Sequence, residues 1–269
     1  MIWSRPDADP IRDLDNVRRL MPFLSPRRND SVFHLRTQIE ADAALAFVDE
    51  WNRGAERPED KLTLFSLYLR SMARVIHERP GVNRFVAGGR LWQRRGLWVT
   101  FSAKMELLDG APVVTVKREF PPDESLADLV SGLLGQLRER RSGKRNRSDR
   151  EVDLMVRTPP TVIRGAVFFL KLANDWGLLP KSMIEPDPMF SSIFVANLGS
   201  VGLEAGYHHL WEYGTCSMFA TLGKVYERHD GARCFDVCYT FDERVEDGFH
   251  VAISLARIKE NLEDPERLR

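Results

Sequence analysis

Two aspartate–glycine pairs, Asp109-Gly110 and Asp230-Gly231, each sit between runs rich in β-branched and aromatic residues. Glycine takes positive φ without cost, so Asp-Gly between two apolar runs is a strong short-range hairpin signal. Residues 97–107 pair with 113–120 on this reading, and 218–227 with 234–241. A further strand is written in period two: Phe33, Leu35, Thr37 and Ile39 alternate with His34, Arg36, Gln38 and Glu40. A short strand over 191–196 ends in the turn Asn197-Leu198-Gly199.

The remaining segments have helical spacing. Ile11, Leu14, Val17, Met21 and Leu24 predict a helix over 10–24, and Leu45, Val48 and Trp51 predict one over 41–53. Residues 62–78 are apolar almost all round, as in a buried helix, and Pro80-Gly81 ends them. Leu126, Leu129, Leu133 and Leu137 mark another. Residues 161–176, with Pro159-Pro160 before and Gly177 after, make the next, and 247–262 the last. Hairpins, helices and strands in this mixed order predict an α/β (α+β) fold, a two-layer sandwich with a mixed sheet. With 269 residues, 43% of them hydrophobic, and no linker or repeat, the reading is one domain over 1–269.

Thirty-nine basic and 39 acidic residues cancel, so there is no global field to draw in nucleic acid or an anionic membrane. The run 138–150 is strongly basic, but it lacks the aromatic residues that base stacking needs and is read as a solvated loop. Nucleic acid is therefore not expected as a partner. No apolar run reaches the roughly 20 residues of a membrane span, and no signal peptide precedes the fold, so a cytoplasmic protein is expected. The three cysteines, Cys216, Cys234 and Cys238, form no Cys-Xaa-Xaa-Cys pair and are read as small buried hydrophobes. No metal site is expected.

The stretch Tyr239-Thr240-Phe241-Asp242-Glu243-Arg244-Val245-Glu246-Asp247-Gly248-Phe249-His250 is similar to the signature of dihydrolipoyl acyltransferases and chloramphenicol acetyltransferases. In that family a strand ends in a histidine, and Asp-Gly opens a helix four positions later. Asp242 and Arg244 match the flanks of the histidine, and Asp247-Gly248 matches the Asp-Gly pair. Phe194-Val195-Ala196-Asn197-Leu198-Gly199 resembles the family's strand ending in a hydroxyl residue, Asn, an aliphatic residue and Gly. The resemblance covers most of the chain. Its least matched part, about 138–188, looks like an insertion.

The resemblance implies acyl transfer between CoA or lipoyl thioesters and a small or carrier-bound acceptor. A histidine near neutral pKa takes and returns the thiol proton, and a Ser or Thr hydroxyl donates to the tetrahedral oxyanion. Here Glu243 stands in the histidine's place and Ala196 in the hydroxyl's. Asp247 and Gly248, the structural part of the motif, remain, and the family's aspartate organises the site through an arginine. An ordinary glutamate is about four units too acidic to deprotonate a thiol efficiently, although burial can raise it. His208 and His209, in the segment after Gly199, are the alternative: a relocated base, or a packed loop whose imidazoles satisfy backbone groups. His250, on the first turn of the last helix, is read as a packing residue. Two functions stay open, an acyltransferase with altered chemistry and an inactive pseudo-acyltransferase that binds a thioester, carrier or partner. No covalently bound cofactor is expected, and CoA or acyl-CoA enters as substrate. The family implies a homotrimer with active sites between subunits. A free trimer is expected, because no lipoyl segment precedes the fold and no apolar tail follows Leu268-Arg269.

Overall fold

In the computed structural model, which describes residues 4–104, 113–141 and 157–269, the elements run β1 (Ala8–Pro10), α1 (Asn16–Leu24), β2 (Val32–Glu40), α2 (Asp42–Arg53), α3 (Leu64–Glu78), β3 (Arg84–Ala87), β4 (Arg90–Arg94), β5 (Trp98–Lys104), β6 (Val113–Glu119), α4 (Leu126–Arg141), α5 (Pro160–Asp175), α6 (Lys181–Ile184), β7 (Ile193–Asn197), β8 (Met218–Leu222), β9 (Tyr226–Glu227), β10 (Arg233–Asp242) and α7 (Gly248–Glu263). The main sheet has seven strands in the order β2-β10-β8-β7-β5-β6, with β9 against the start of β10. It is mixed: β7 runs parallel to β5 and β8, and the other pairs are antiparallel. A second, three-stranded sheet has the order β1-β4-β3.

Alternation along the strands divides the main sheet into two faces. Val237, Tyr239 and Phe241 of β10, with Ile193, Val195, Met218 and Ala220, pack into one core with apolar residues of α2, α3, α4 and α7. The opposite face carries Phe194 and Phe219, covered by Leu210, Trp211 and Cys216 from the irregular chain before β8. The result is the expected α/β sandwich. Both aromatic side chains face away from the helices because each is one residue out of phase with its core neighbours.

The expected elements form with shifted ends. The first helix begins at Asn16, because Asp15 caps it by accepting the Arg18 N–H at 2.8 Å. Residues 8–10 pair with β4 instead, and Ile11 and Leu14 pack on the core from outside the helix. α3 starts two residues late, at a capping box between Thr63 and Ser66. The strand expected over 218–227 breaks after Leu222. There the Lys224 N–H donates to Leu203, and a side chain on Gly223 would meet the Ala205 N at 2.5 Å. The second hairpin turns at Gly231 (φ +86°), whose N–H donates to the Arg228 carbonyl, with no positive φ at Asp230. The Asp109-Gly110 turn and the basic run from 142 to 150 lie outside the described residues. No helix among the described residues is long and apolar enough to cross a membrane.

Candidate functional site

Asp242, the last residue of β10, has no exposed surface, and two arginines neutralise it. Arg244 grips both carboxylate oxygens at 2.8 Å, and the Arg28 Nε lies 3.7 Å from one of them. Arg244 also donates to the carbonyls of Ser25 and Pro26, and Arg28 to those of Trp211 and Gly214. Glu212 closes the network by accepting the backbone N–H groups of Arg28 and Asn29. Burial pushes the Glu212 carboxyl up, but these donors outweigh it and hold the group below its usual range. Two carboxylates and two guanidiniums thus tie two distant segments, 25–29 and 211–214, to the end of β10, which offsets the cost of burying each charge.

Glu243 is the first residue outside this network. Its N–H donates to Ser31 at 2.9 Å, and its carbonyl accepts from Arg18 at 2.7 Å. The side chain is exposed and makes no hydrogen bond or ion pair with a described residue. The backbone is pinned from both sides and the carboxylate is presented to solvent. Four residues on, Asp247 caps α7 by accepting the His250 N–H at 2.8 Å. That donor, helped by the Phe249 N–H and the charge of Arg18, holds Asp247 below the usual carboxylate range. Asp247 itself forms no ion pair with an arginine among the described residues. The arginine-bound carboxylates of this turn are Asp242, held by Arg244, and Glu246, which accepts from Arg84 at 2.7 Å. Gly248 opens α7. His250 is pushed down, first by burial, and its Nε2 is buried without a partner. Gly81 makes room for it: a Cβ there would sit 3.0 Å from the His250 Nε2 and 2.4 Å from the Glu246 carboxylate.

Ala196 and Asn197 end β7. The Asn197 side chain accepts the Ser200 N–H at 3.2 Å and so caps the short turn that follows. Gly199 lies so close to β8 that a Cβ would meet the Gly223 carbonyl at 2.5 Å. Ala196 pairs in register with Thr221, and Thr221 with Cys238 of β10. Glu243 is five residues beyond Cys238, about 17 Å along the strand at roughly 3.4 Å per residue. One chain therefore does not bring Glu243 and Ala196 to a common substrate carbonyl.

Ala196 packs against the aromatic cluster of Phe194, Phe219 and Trp211. His208 stacks on Phe219 at 4.1 Å between centroids and on His209 at 4.4 Å. The His208 Nδ1 lies 2.7 Å from the His209 carbonyl. A carbonyl only accepts, so Nδ1 donates in this contact, and in the neutral tautomer that allows it the lone pair sits on Nε2. His209 is exposed and serves here as stacking partner and carbonyl acceptor. Thr221 is no oxyanion donor in this arrangement, because its hydroxyl donates to the Gly206 carbonyl. Among the described residues no group of three His, Cys, Asp or Glu side chains is placed to hold a metal ion.

No protein-family model and no curated protein matches the chain. Solved structures do. Azotobacter vinelandii dihydrolipoamide acetyltransferase superimposes with a TM-score of 0.64 at 16% identity, over 97% of this chain and 99% of that one. The cubic core of a pyruvate dehydrogenase multienzyme complex gives 0.63 at 16%, over 97% and 99%. Chloramphenicol acetyltransferase gives 0.56 at 13%, over 96% and 98%. The chain has the fold of these acetyltransferases. That fold sets Glu243 on the strand-to-helix turn after β10 and Ala196 on β7, at the opposite end of the sheet and separated from β10 by β8. Arg18 and Arg28 were missed from sequence. Arg27-Arg28-Asn29-Asp30 reads as an ordinary charged loop, and only the fold brings it under β10.

Proposed function

We propose that this chain is an acyltransferase-type protein that takes an acyl thioester, on CoA or on a carrier, between the subunits of a homotrimer, with altered proton-transfer groups. In the Azotobacter vinelandii enzyme, the residues studied for roles in the catalytic mechanism are a serine, a histidine and, four positions on, an asparagine. Glu243 and Asp247 have the same spacing here. The observation that carries the proposal is the state of Glu243: its backbone is held at both ends while its exposed side chain bonds to none of the described residues. A network of four charged groups, three of them buried, maintains the turn that presents that carboxylate to solvent. The separation from Ala196 means that a second copy must complete the site. On this reading the His208 Nε2, on the aromatic cluster against which Ala196 packs, supplies the basic nitrogen that Glu243 lacks.

One observation favours a second reading, binding without turnover. Ala196 offers only a methyl group where an oxyanion needs a donor, and the neighbouring Thr221 hydroxyl is committed to Gly206. Removal of one oxyanion donor costs about a hundredfold or more in rate. Thiol release from acetyl- and longer acyl-CoA, measured alongside CoA binding, separates the two. Slow turnover that falls at least tenfold in both Glu243→Gln and His208→Ala supports altered chemistry. No turnover, with CoA bound and activity gained in Glu243→His combined with Ala196→Ser, supports a binding protein. No CoA binding in any form refutes both.

A further inference from the structure

Away from the Glu243 turn, a cavity of about 220 Å³ lies between the β5–β6 pair, the N-terminal stretch and α6. Lys117 and Arg94 both line it, with Trp98 and Phe190 as apolar wall. The Lys117 Nζ donates to two backbone carbonyls, Ile184 at 2.8 Å and Asp187 at 3.1 Å, and lies 5.2 Å from the Trp98 ring. A neutral amine has two N–H donors and one lone pair. Carbonyl oxygens use the donors and leave the lone pair. Burial, and then the charge of Arg94, lower Lys117 to about 7, so that much of it is neutral at neutral pH. Nucleophilic lysines are made in this way.

Arg94 adds a second, independent feature. It is 5% exposed, and its Nη2 is satisfied by the Thr215 carbonyl and hydroxyl. Its Nε is buried with no hydrogen-bond partner. A buried donor left without an acceptor is costly, and a ligand oxygen would relieve that cost. Asp7, Glu119 and Glu185 share the wall, which disfavours more than one negative charge on the ligand.

We propose that this pocket captures a small oxo acid, an aldehyde or ketone bearing one carboxylate, as an imine on Lys117. The Nζ lone pair adds to the carbonyl carbon and forms the C–N bond. Both amine hydrogens leave with the carbonyl oxygen as water. A proton taken up by the imine nitrogen restores one N–H to a backbone carbonyl. The ligand carboxylate accepts from the Arg94 Nε.

The test uses the intact protein at pH 7 with glyoxylate and cyanoborohydride, and maps the reduced adduct by peptide mass spectrometry. Acetaldehyde, which lacks the carboxylate, is the matched probe. Lys117 is expected to label at least tenfold faster than Lys171, Lys224 and Lys259, which lie outside the cavity. Because a hydrogen bond to a charged group contributes about 1.5–3 kcal/mol, glyoxylate is expected to outpace acetaldehyde at Lys117 by about tenfold or more, beyond their ratio at the surface lysines. Uniform labelling of all lysines, or equal relative rates for the two probes, would overturn the proposal. Mapping on the unaltered chain requires no variant to fold. A Lys117→Arg control must lose the adduct while the others persist. The readout is independent of thioester turnover.

Discussion

Asp242 is fully buried between two guanidiniums, while Glu243, the next residue, is exposed and fixed only through its backbone. The difference follows from β10: alternation points Asp242 to the loop side of the sheet, where Arg28 and Arg244 meet it, and Glu243 falls on the turn that leaves the strand. Lys117 shows the opposite balance, a half-buried amine held by two backbone carbonyls, with no hydrogen bond to a carboxylate among the described residues. Its pKa is lowered to about 7, against about 10.4 in an unfolded chain. Below pH 7 both states are protonated, and the folded protein bears the full cost of the buried ammonium. Between about 7 and 10.4 the unfolded chain binds more protons, so stability rises with pH. Lys117→Met removes this dependence. The variant is expected to gain in Tm relative to the parent on going from pH 9 to pH 6. Calorimetry at the two pH values checks this, and an unchanged difference would show that the lysine is not buried as an ammonium. The relative change is the measure, because the variant leaves the Ile184 and Asp187 carbonyls without their donor at every pH.

α7 starts where Asp247 accepts the His250 N–H, so the retained Asp-Gly pair has a local structural task whatever chemistry accompanies it. Asp247→Ala is expected to destabilise by about 1 kcal/mol, the usual cost of losing an N-cap, while Asp247→Asn keeps the acceptor and stays within a few tenths. Urea unfolding of the two variants distinguishes capping from a purely electrostatic role, which Asn would lose as fully as Ala. The same contrast explains what the sequence made legible. The 239–250 stretch is contiguous, so its strand, turn, cap and helix are written within a dozen residues. The strand over Phe33–Ile39 was readable because His34, Arg36 and Gln38 keep one side partly wet. β3 and β4 went unread: they are short, they carry Arg84, Arg90 and Arg94, and they turn at Gly88 and Gly89 with positive φ. Arg244 was readable as part of the contiguous motif, but Arg18 and Arg28 were hidden, since Arg18 meets Glu243 across 225 positions of sequence and no local spacing encodes that contact.

At the scale of the molecule, α1 leaves large apolar side chains outside the core. Val17, Leu20, Phe23 and Leu24 of α1 are 68%, 54%, 68% and 74% exposed. Their spacing is amphipathic, and an apolar stripe of this kind on a monomer marks an interaction surface. α1 also carries Arg18, which holds the Glu243 carbonyl, and Phe249, just after the Asp247-Gly248 pair, is 78% exposed. The uncovered stripe therefore adjoins the turn whose partner group is missing from the same chain. A neighbouring copy seated on α1 would cover it and at the same time approach Glu243, which ties assembly to the completeness of the site. Leu20→Glu combined with Phe23→Glu is expected to release monomers from a trimer, because charges replace apolar side chains in the covered stripe while contacts within the chain change little. Light scattering should give three times the 30.9 kDa chain mass for the parent and that single mass for the variant. A parent that is already monomeric would remove the shared-site reading. A variant that remains trimeric would move the interface to another surface, of which the α5 face with Phe168, Phe169 and Trp176, 62%, 67% and 48% exposed, is the next to alter.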